Sequence, residues 1–119
     1  MNELEREILN YIESKDKEVF IYYDKKEAAG FSACSLRYDY VEGTDSSPVG
    51  YLEGVFVKDG CRKKGIGKQL INQCEEWAKN KGCQEFASDC ELNNEESLKF
   101  HLKVGFEEAN RIICFRKNL

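Results

Sequence analysis

Residues 61–70, CRKKGIGKQL, crowd four cations and two glycines into ten positions of a 119-residue chain whose net charge is −4. The apolar run Val55-Phe56-Val57 precedes this knot and an amphipathic segment follows it, so the glycines stand where a strand turns into a helix. Such a turn receives anions, because the first N–H groups of a helix lack partners, point outward together and carry the positive end of the dipole. In Gly65-Ile66-Gly67 the two glycines clear space for phosphate oxygens to reach those amides, and Arg62, Lys63, Lys64 and Lys68 add charge at the rim. Two familiar phosphate motifs are excluded. GxxxxGK[ST] needs a Gly-Lys-Ser/Thr that does not occur, and Gly65-Ile66-Gly67 continues as Lys68-Gln69-Leu70 instead of completing GxGxxG. The Arg-x-x-Gly-x-Gly that remains also suits ordinary helix capping when taken alone.

The elements that must position this turn are legible from periodicity. Leu4, Ile8, Leu9, Tyr11 and Ile12 share one face of a short helix over 3–14. Val19–Tyr23 and Ala28–Tyr38 read as two strands around the polar turn Asp24-Lys25-Lys26-Glu27, with Gly30 marking a bulge or a close approach. A Gly-, Ser- and Asp-rich loop over 39–48 leads to a strand at Tyr51–Val57. Leu70, Ile71, Cys74, Trp77 and Ala78 are the stripe of a helix over 67–79, ended by Gly82. A strand at Gln84–Cys90, a helix from Asn94 ended by Gly105, and a last strand at Arg111–Arg116 complete the order. The strand–helix–strand unit around the knot predicts a parallel crossover, hence an α/β (α+β) fold with a mixed sheet and flanking helices.

Composition narrows the class. With 41% apolar and 34% charged residues and one proline, residues 1–119 form a single ordered domain. No apolar run is long enough to cross a membrane, and the charged amino terminus has no signal-peptide core, so a cytoplasmic protein without membrane contact is expected. The acidic balance argues against nucleic acid and suits a cationic small molecule. Six cysteines include no C-x-x-C pair, and one histidine, His101, does not complete a zinc set, so no metal and reduced, mainly structural thiols are expected. Trp77, Tyr22, Tyr23 and Phe100 are read as core aromatics.

In this context the knot resembles the R/Q-x-x-G-x-G/A turn with which the GNAT superfamily of N-acetyltransferases binds the pyrophosphate of acetyl-CoA. YLEGVFV at 51–57 is similar to the central strand of that superfamily, and Asn94-Glu95-Glu96-Ser97 with Gly105-Phe106 to its later helix motif. Residues 38–43, 45–49, 81–83, 87–89 and 101–108 further resemble one subgroup, the aminoglycoside 6'-N-acetyltransferases, which acetylate antibiotics such as kanamycin and tobramycin. The resemblance implies a mostly antiparallel sheet with a splayed central strand, whose exposed backbone at Leu52, Val55 and Val57 pairs with the cosubstrate. It also implies that the Val55 N–H holds the thioester oxygen as charge grows on it.

Glu53 is then the carboxylate expected beside the reacting amine, as base and substrate ligand; its alternative is a solvated strand-edge glutamate. Asp89, ending the fourth strand, and Asp39 on the same acidic lip are expected to bind substrate amines, although Asp89 also suits a turn. Gly54 reads either as room for ligand or as an ordinary bulge. Asn94 caps its helix and, by resemblance, touches coenzyme A. His101 stands where the superfamily commonly has a tyrosine acid, and is either the proton donor or an inert packed histidine. The resembling proteins carry a further strand and helix before the segment matching 3–14, and this difference opens three readings: an active enzyme completed as a homodimer, a changed acceptor such as another small amine or a protein amino terminus, or a module that binds acetyl-CoA without turnover.

Overall fold

A computed structural model describes residues 14–62 and 64–119; the expected helix over 3–14 and Lys63 lie outside the described residues, save Ser14 itself. The chain falls into two compact units, residues 1–89 and 90–119.

The first unit holds strands β1 (Lys17–Asp24), β2 (Glu27–Arg37), β3 (Val49–Val57) and β4 (Phe86–Ala87), with helix α1 (Ile66–Asn80) between β3 and β4. Sheet order is β1-β2-β3-β4. The hairpin β1–β2 closes at Asp24↔Glu27, and both turn residues, Lys25 and Lys26, have positive φ (51° and 72°). That backbone follows the right-handed twist of the two strands. β2 and β3 are antiparallel, whereas β3 and β4 are parallel, as the crossover around the knot requires. The fourth strand is shorter than expected: it pairs at Gly50↔Phe86 and Tyr51↔Ala87 and then leaves β3.

Helix α1 packs on the sheet through Ile66, Leu70, Ile71, Cys74 and Ala78, the period-3.6 stripe that its sequence carries. Opposite them lie Ala29, Cys34 and Leu52, all under 9% exposed. Two hydrogen bonds stitch the layers: Ser32 Oγ donates to the Leu70 carbonyl at 3.2 Å, and Cys74 Sγ to Ser32 Oγ at 3.2 Å. At its end Gly82 takes φ 91°, and the Cys83 and Gly82 amides bond back to Ala78 and Lys79, closing a Schellman cap. Gly30 marks both things expected of it. The β1–β2 register shifts beside it, leaving Ala29 unpaired, and a Cβ there would stand 2.6 Å from the Phe56 carbonyl oxygen. Of the aromatics expected in the core, Tyr22 packs against the Ala29–Ile66–Leu70 cluster, but Tyr23 is 63% exposed.

In the second unit α2 (Glu95–Lys103) begins at Asn94, whose side chain accepts from the Ser97 amide at 3.1 Å, and ends at Gly105, φ 104°. The strand expected at Arg111–Arg116 does not form: residues 107–119 are exposed and without regular structure. An apolar run becomes a strand only where a neighbouring strand supplies hydrogen-bond partners, and this unit contains no strand. No described helix is long and apolar enough to cross a membrane.

Candidate active site

The turn before α1 is built as an open anion receptor. Gly65 is its N-cap in the left-handed region, φ 76°, where other residues are strained. The first helical bond runs from the Gln69 amide to the Gly65 carbonyl at 3.1 Å, so the amides of Ile66, Gly67 and Lys68 have no intrahelical acceptor. No side chain caps them, no acidic residue stands in the first turn, and a Cβ on Gly65 would meet nothing within 4 Å. Lys64 and Lys68 are exposed beside it. Arg62 is engaged otherwise: its Nε donates to the Val57 carbonyl at 3.1 Å and its guanidinium pairs with Asp59 at 3.2 Å, tying the loop to the end of β3.

β3 reaches this loop along an edge with no partner strand among the described residues after Tyr51. Which backbone groups face that edge follows from four bonds. The Gly50 amide donates to Glu85 O at 3.0 Å, the Leu52 carbonyl accepts from Ser88 Oγ at 3.5 Å, and the Val57 carbonyl accepts from Arg62, all on the side away from β2. The Lys58 amide instead donates to Ala29 O at 2.8 Å, on the β2 side. A regular strand would put Leu52 and Val57 on opposite edges. They share one because Ala33 pairs with Gly54 and Cys34 with Leu52, leaving Glu53 as a one-residue bulge. The bulge therefore aims the backbones of Leu52, Val55 and Val57 at the same open edge, while the Val55 and Val57 side chains stay on the core cluster. A Cβ on Gly54 would meet no atom within 4 Å, so packing does not require glycine there.

The face of the sheet opposite α1 carries the charges. Glu53 Oε1 accepts from Ser35 Oγ at 2.6 Å and from Arg37 Nη2 at 3.0 Å, and Arg37 also reaches Oε2 at 3.3 Å. The Arg37 guanidinium lies 3.5 Å over the Tyr51 ring. The Tyr51 hydroxyl donates to Asp89 Oδ2 in a short hydrogen bond. Burial first, then that bond, pushes the Tyr51 phenol up from its usual range, so it remains a donor at neutral pH. Thus Glu53 and Asp89, far apart in sequence, join one network through Arg37 and Tyr51.

Asp39 lies in the exposed loop after β2. Ser35, Arg37 and Tyr51 were not among the residues expected from sequence. The signal was alternation, since Ser35 and Arg37 share one face of β2 and Tyr51 and Glu53 one face of β3, but the register that pairs Ser35 with Tyr51 and leaves Glu53 in a bulge is needed to bring them together.

The second unit holds two further expected residues. Asn94 caps α2 as described. His101 is half-buried in the last turn of α2, its Nδ1 2.7 Å from the Ser97 carbonyl and its ring 5.1 Å from Phe106. With Nδ1–H donating to that carbonyl, a proton given by this histidine leaves from Nε2 of the imidazolium. Among the described residues no group of His, Cys, Asp and Glu is placed to hold a metal, and none of the six cysteines is in a disulfide, with Cys34 and Cys74 buried together. Their mutual hydrogen bond and burial hold the Cys34 thiol well above its usual range.

The Acetyltransferase (GNAT) family model matches residues 2–106. An aminoglycoside N(6')-acetyltransferase type 1 of Salmonella typhimurium is 51% identical over 90 residues, 76% of this chain and 62% of that protein. One of Acinetobacter baumannii is 43% identical over 86% of this chain and 70% of its own length. Among solved structures, AAC(6')-Iy in complex with the bisubstrate analog CoA-S-monomethyl-acetylneamine superposes with TM-score 0.89 at 43% identity, covering 93% of this chain and 76% of that one. AAC(6')-IG from Acinetobacter haemolyticus gives 0.91 at 36% identity, over 98% and 80%. The chain thus spans about three fifths to four fifths of the length of these relatives. With the glycine turn, the bulged and splayed central strand and the capped later helix all in place, the chain belongs to the acetyltransferase (GNAT) family, with strong similarity to its aminoglycoside 6'-N-acetyltransferases.

Proposed function

We propose that this protein transfers an acetyl group from acetyl-CoA to a primary amine, the 6'-amino group of an aminoglycoside. The observation that carries this reading is the bulge at Glu53. It aims three backbone positions at an open strand edge leading to the glycine turn, and sets Glu53 on the face shared with Asp89. The residues suit the cosubstrate: bare amides at Ile66, Gly67 and Lys68, open space at Gly65 and the exposed cations Lys64 and Lys68 fit a pyrophosphate. Bound there, acetyl-CoA would supply the activated acetyl thioester. The Val55 N–H stabilises negative charge on the thioester oxygen. Glu53 takes a proton from the arriving ammonium, directly or through water, and Asp89 and Asp39 attract the other amines. For Asn94 and His101 the roles of cosubstrate ligand and proton donor rest on the family motif that they match.

The match of the family model across the unit boundary supports one acetyltransferase domain over residues 1–119. Free thiols support a cytoplasmic location, the net charge of −4 speaks against nucleic acid, and the unpartnered outer edge of β1 among the described residues supports a homodimer. The test is thiol release from acetyl-CoA by the purified chain with tobramycin or kanamycin. Release that depends on the aminoglycoside is expected. No release, with acetyl-CoA binding verified separately, would overturn the assignment of this acceptor.

A further inference from the structure

Of Glu53 and Asp89, the carboxylates assigned to the acceptor, Glu53 already holds a cation. Arg37 reaches both oxygens of Glu53 and lies over the ring of Tyr51, whose hydroxyl donates to Asp89. An acceptor ammonium placed against Glu53 would meet the guanidinium at contact distance, where like charges repel. Both cannot occupy the position. Arg37 is the partner able to leave, because its side chain is 44% exposed and that of Glu53 34%, a setting in which ion pairs are weak. Glu53 would not lose its place, since Ser35 Oγ holds Oε1 independently.

We propose that Arg37 is an internal stand-in for the acceptor's ammonium: it fills the cation position on Glu53 in the free protein and yields it to an incoming amine. This rests on the acceptor reading of Glu53 and Asp89 given above. With Arg37 in place the three charges sum to −1, and with it displaced the two carboxylates present −2. The exchange therefore favours acceptors carrying two or more ammonium groups, which recover the lost ion pair and add another. Amines with one positive charge regain only what Arg37 gave up. The ring of Tyr51, uncovered as Arg37 leaves, offers its face to the arriving cation.

The experiment is calorimetric titration of the wild-type chain, Arg37→Ala and Arg37→Gln with tobramycin and with the monoamine glucosamine, alongside thiol-release kinetics. Melting curves establish that each variant is folded; Arg37→Gln keeps the stem over Tyr51 should Arg37→Ala fail to fold. Removal of the guanidinium is expected to tighten tobramycin binding about tenfold and to lower its KM in parallel, with a gain of similar factor for glucosamine, because the same ion pair no longer has to be displaced. Unchanged or weaker tobramycin binding in the folded variants overturns the stand-in, as does a fall in kcat at constant KM, which would make Arg37 a positioning residue for Glu53. A wild-type chain without turnover sinks the assignment of this acceptor instead. The titrations still decide on Arg37 in that case, since tighter binding by the variants supports the exchange and binding by none of the proteins rejects it.

Discussion

At the scale of single residues, Glu53 is set apart by its surroundings. It is the extra residue of a bulge, it accepts from Ser35 and Arg37, and it shares a face with the Tyr51–Asp89 pair. A carboxylate that only decorated a strand edge would need none of these. Glu53→Gln keeps the shape and removes the proton acceptor, so kcat for aminoglycoside acetylation is expected to fall by about 100-fold or more, the usual worth of a general base. Affinity for acetyl-CoA should stay as it was, because the cosubstrate contacts are assigned to backbone groups. Steady-state kinetics with a separate acetyl-CoA titration checks both halves. A variant as active as the wild type would remove Glu53 from the mechanism. Glu53 and Asp89 were candidates through their places on the family-like central strand and at the end of the fourth strand. Arg37 was not one, because an arginine on a strand is ordinarily a solvated surface charge, and its stacking on Tyr51 depends on the register of two strands.

Among elements, the junction of β3 with α1 carries the most. Its glycine turn was legible because conformation there is set locally: Gly65 adopts φ 76°, and the amides that follow are unpaired by the geometry of any helix start. Gly65→Val forces a β-branched residue into the left-handed region at a cost of about 1–2 kcal/mol. It also fills the space in front of the helix amides. The folded variant is expected to lose at least about tenfold in acetyl-CoA affinity, or roughly 1.4 kcal/mol. Isothermal titration measures this, and retained affinity would show that the cradle does not hold the phosphates. The strand entering this junction was foreseen, but its bulge was only one of two readings of Gly54. The expected strand at Arg111–Arg116 failed for the opposite reason, since a β-rich composition does not supply a neighbour to pair with.

For the whole molecule, the sheet ends at β1, eight residues long and without a partner strand on its outer side among the described residues. Exposed edges of this kind attract further strands. The proposed homodimer is therefore expected to persist at micromolar concentration, with light scattering giving the mass of two chains. A monomer at that concentration would reject the pairing and leave each acceptor site to one chain.

The residues alone carried the resemblance to the family, the order strand–turn–helix–strand around the phosphate cradle, the α1 stripe and the helix caps at Gly82, Asn94 and Gly105. Each of these is written in contacts within a few residues, where periodicity and backbone preference act directly. It took the fold to show that Leu52, Val55 and Val57 share one open edge, that β4 parts from β3 after two residue pairs, and that Arg37 and Tyr51 join Glu53 to Asp89. These depend on strand register, which the bulge shifts by one residue, and a one-residue shift reverses which edge and which face every later position takes.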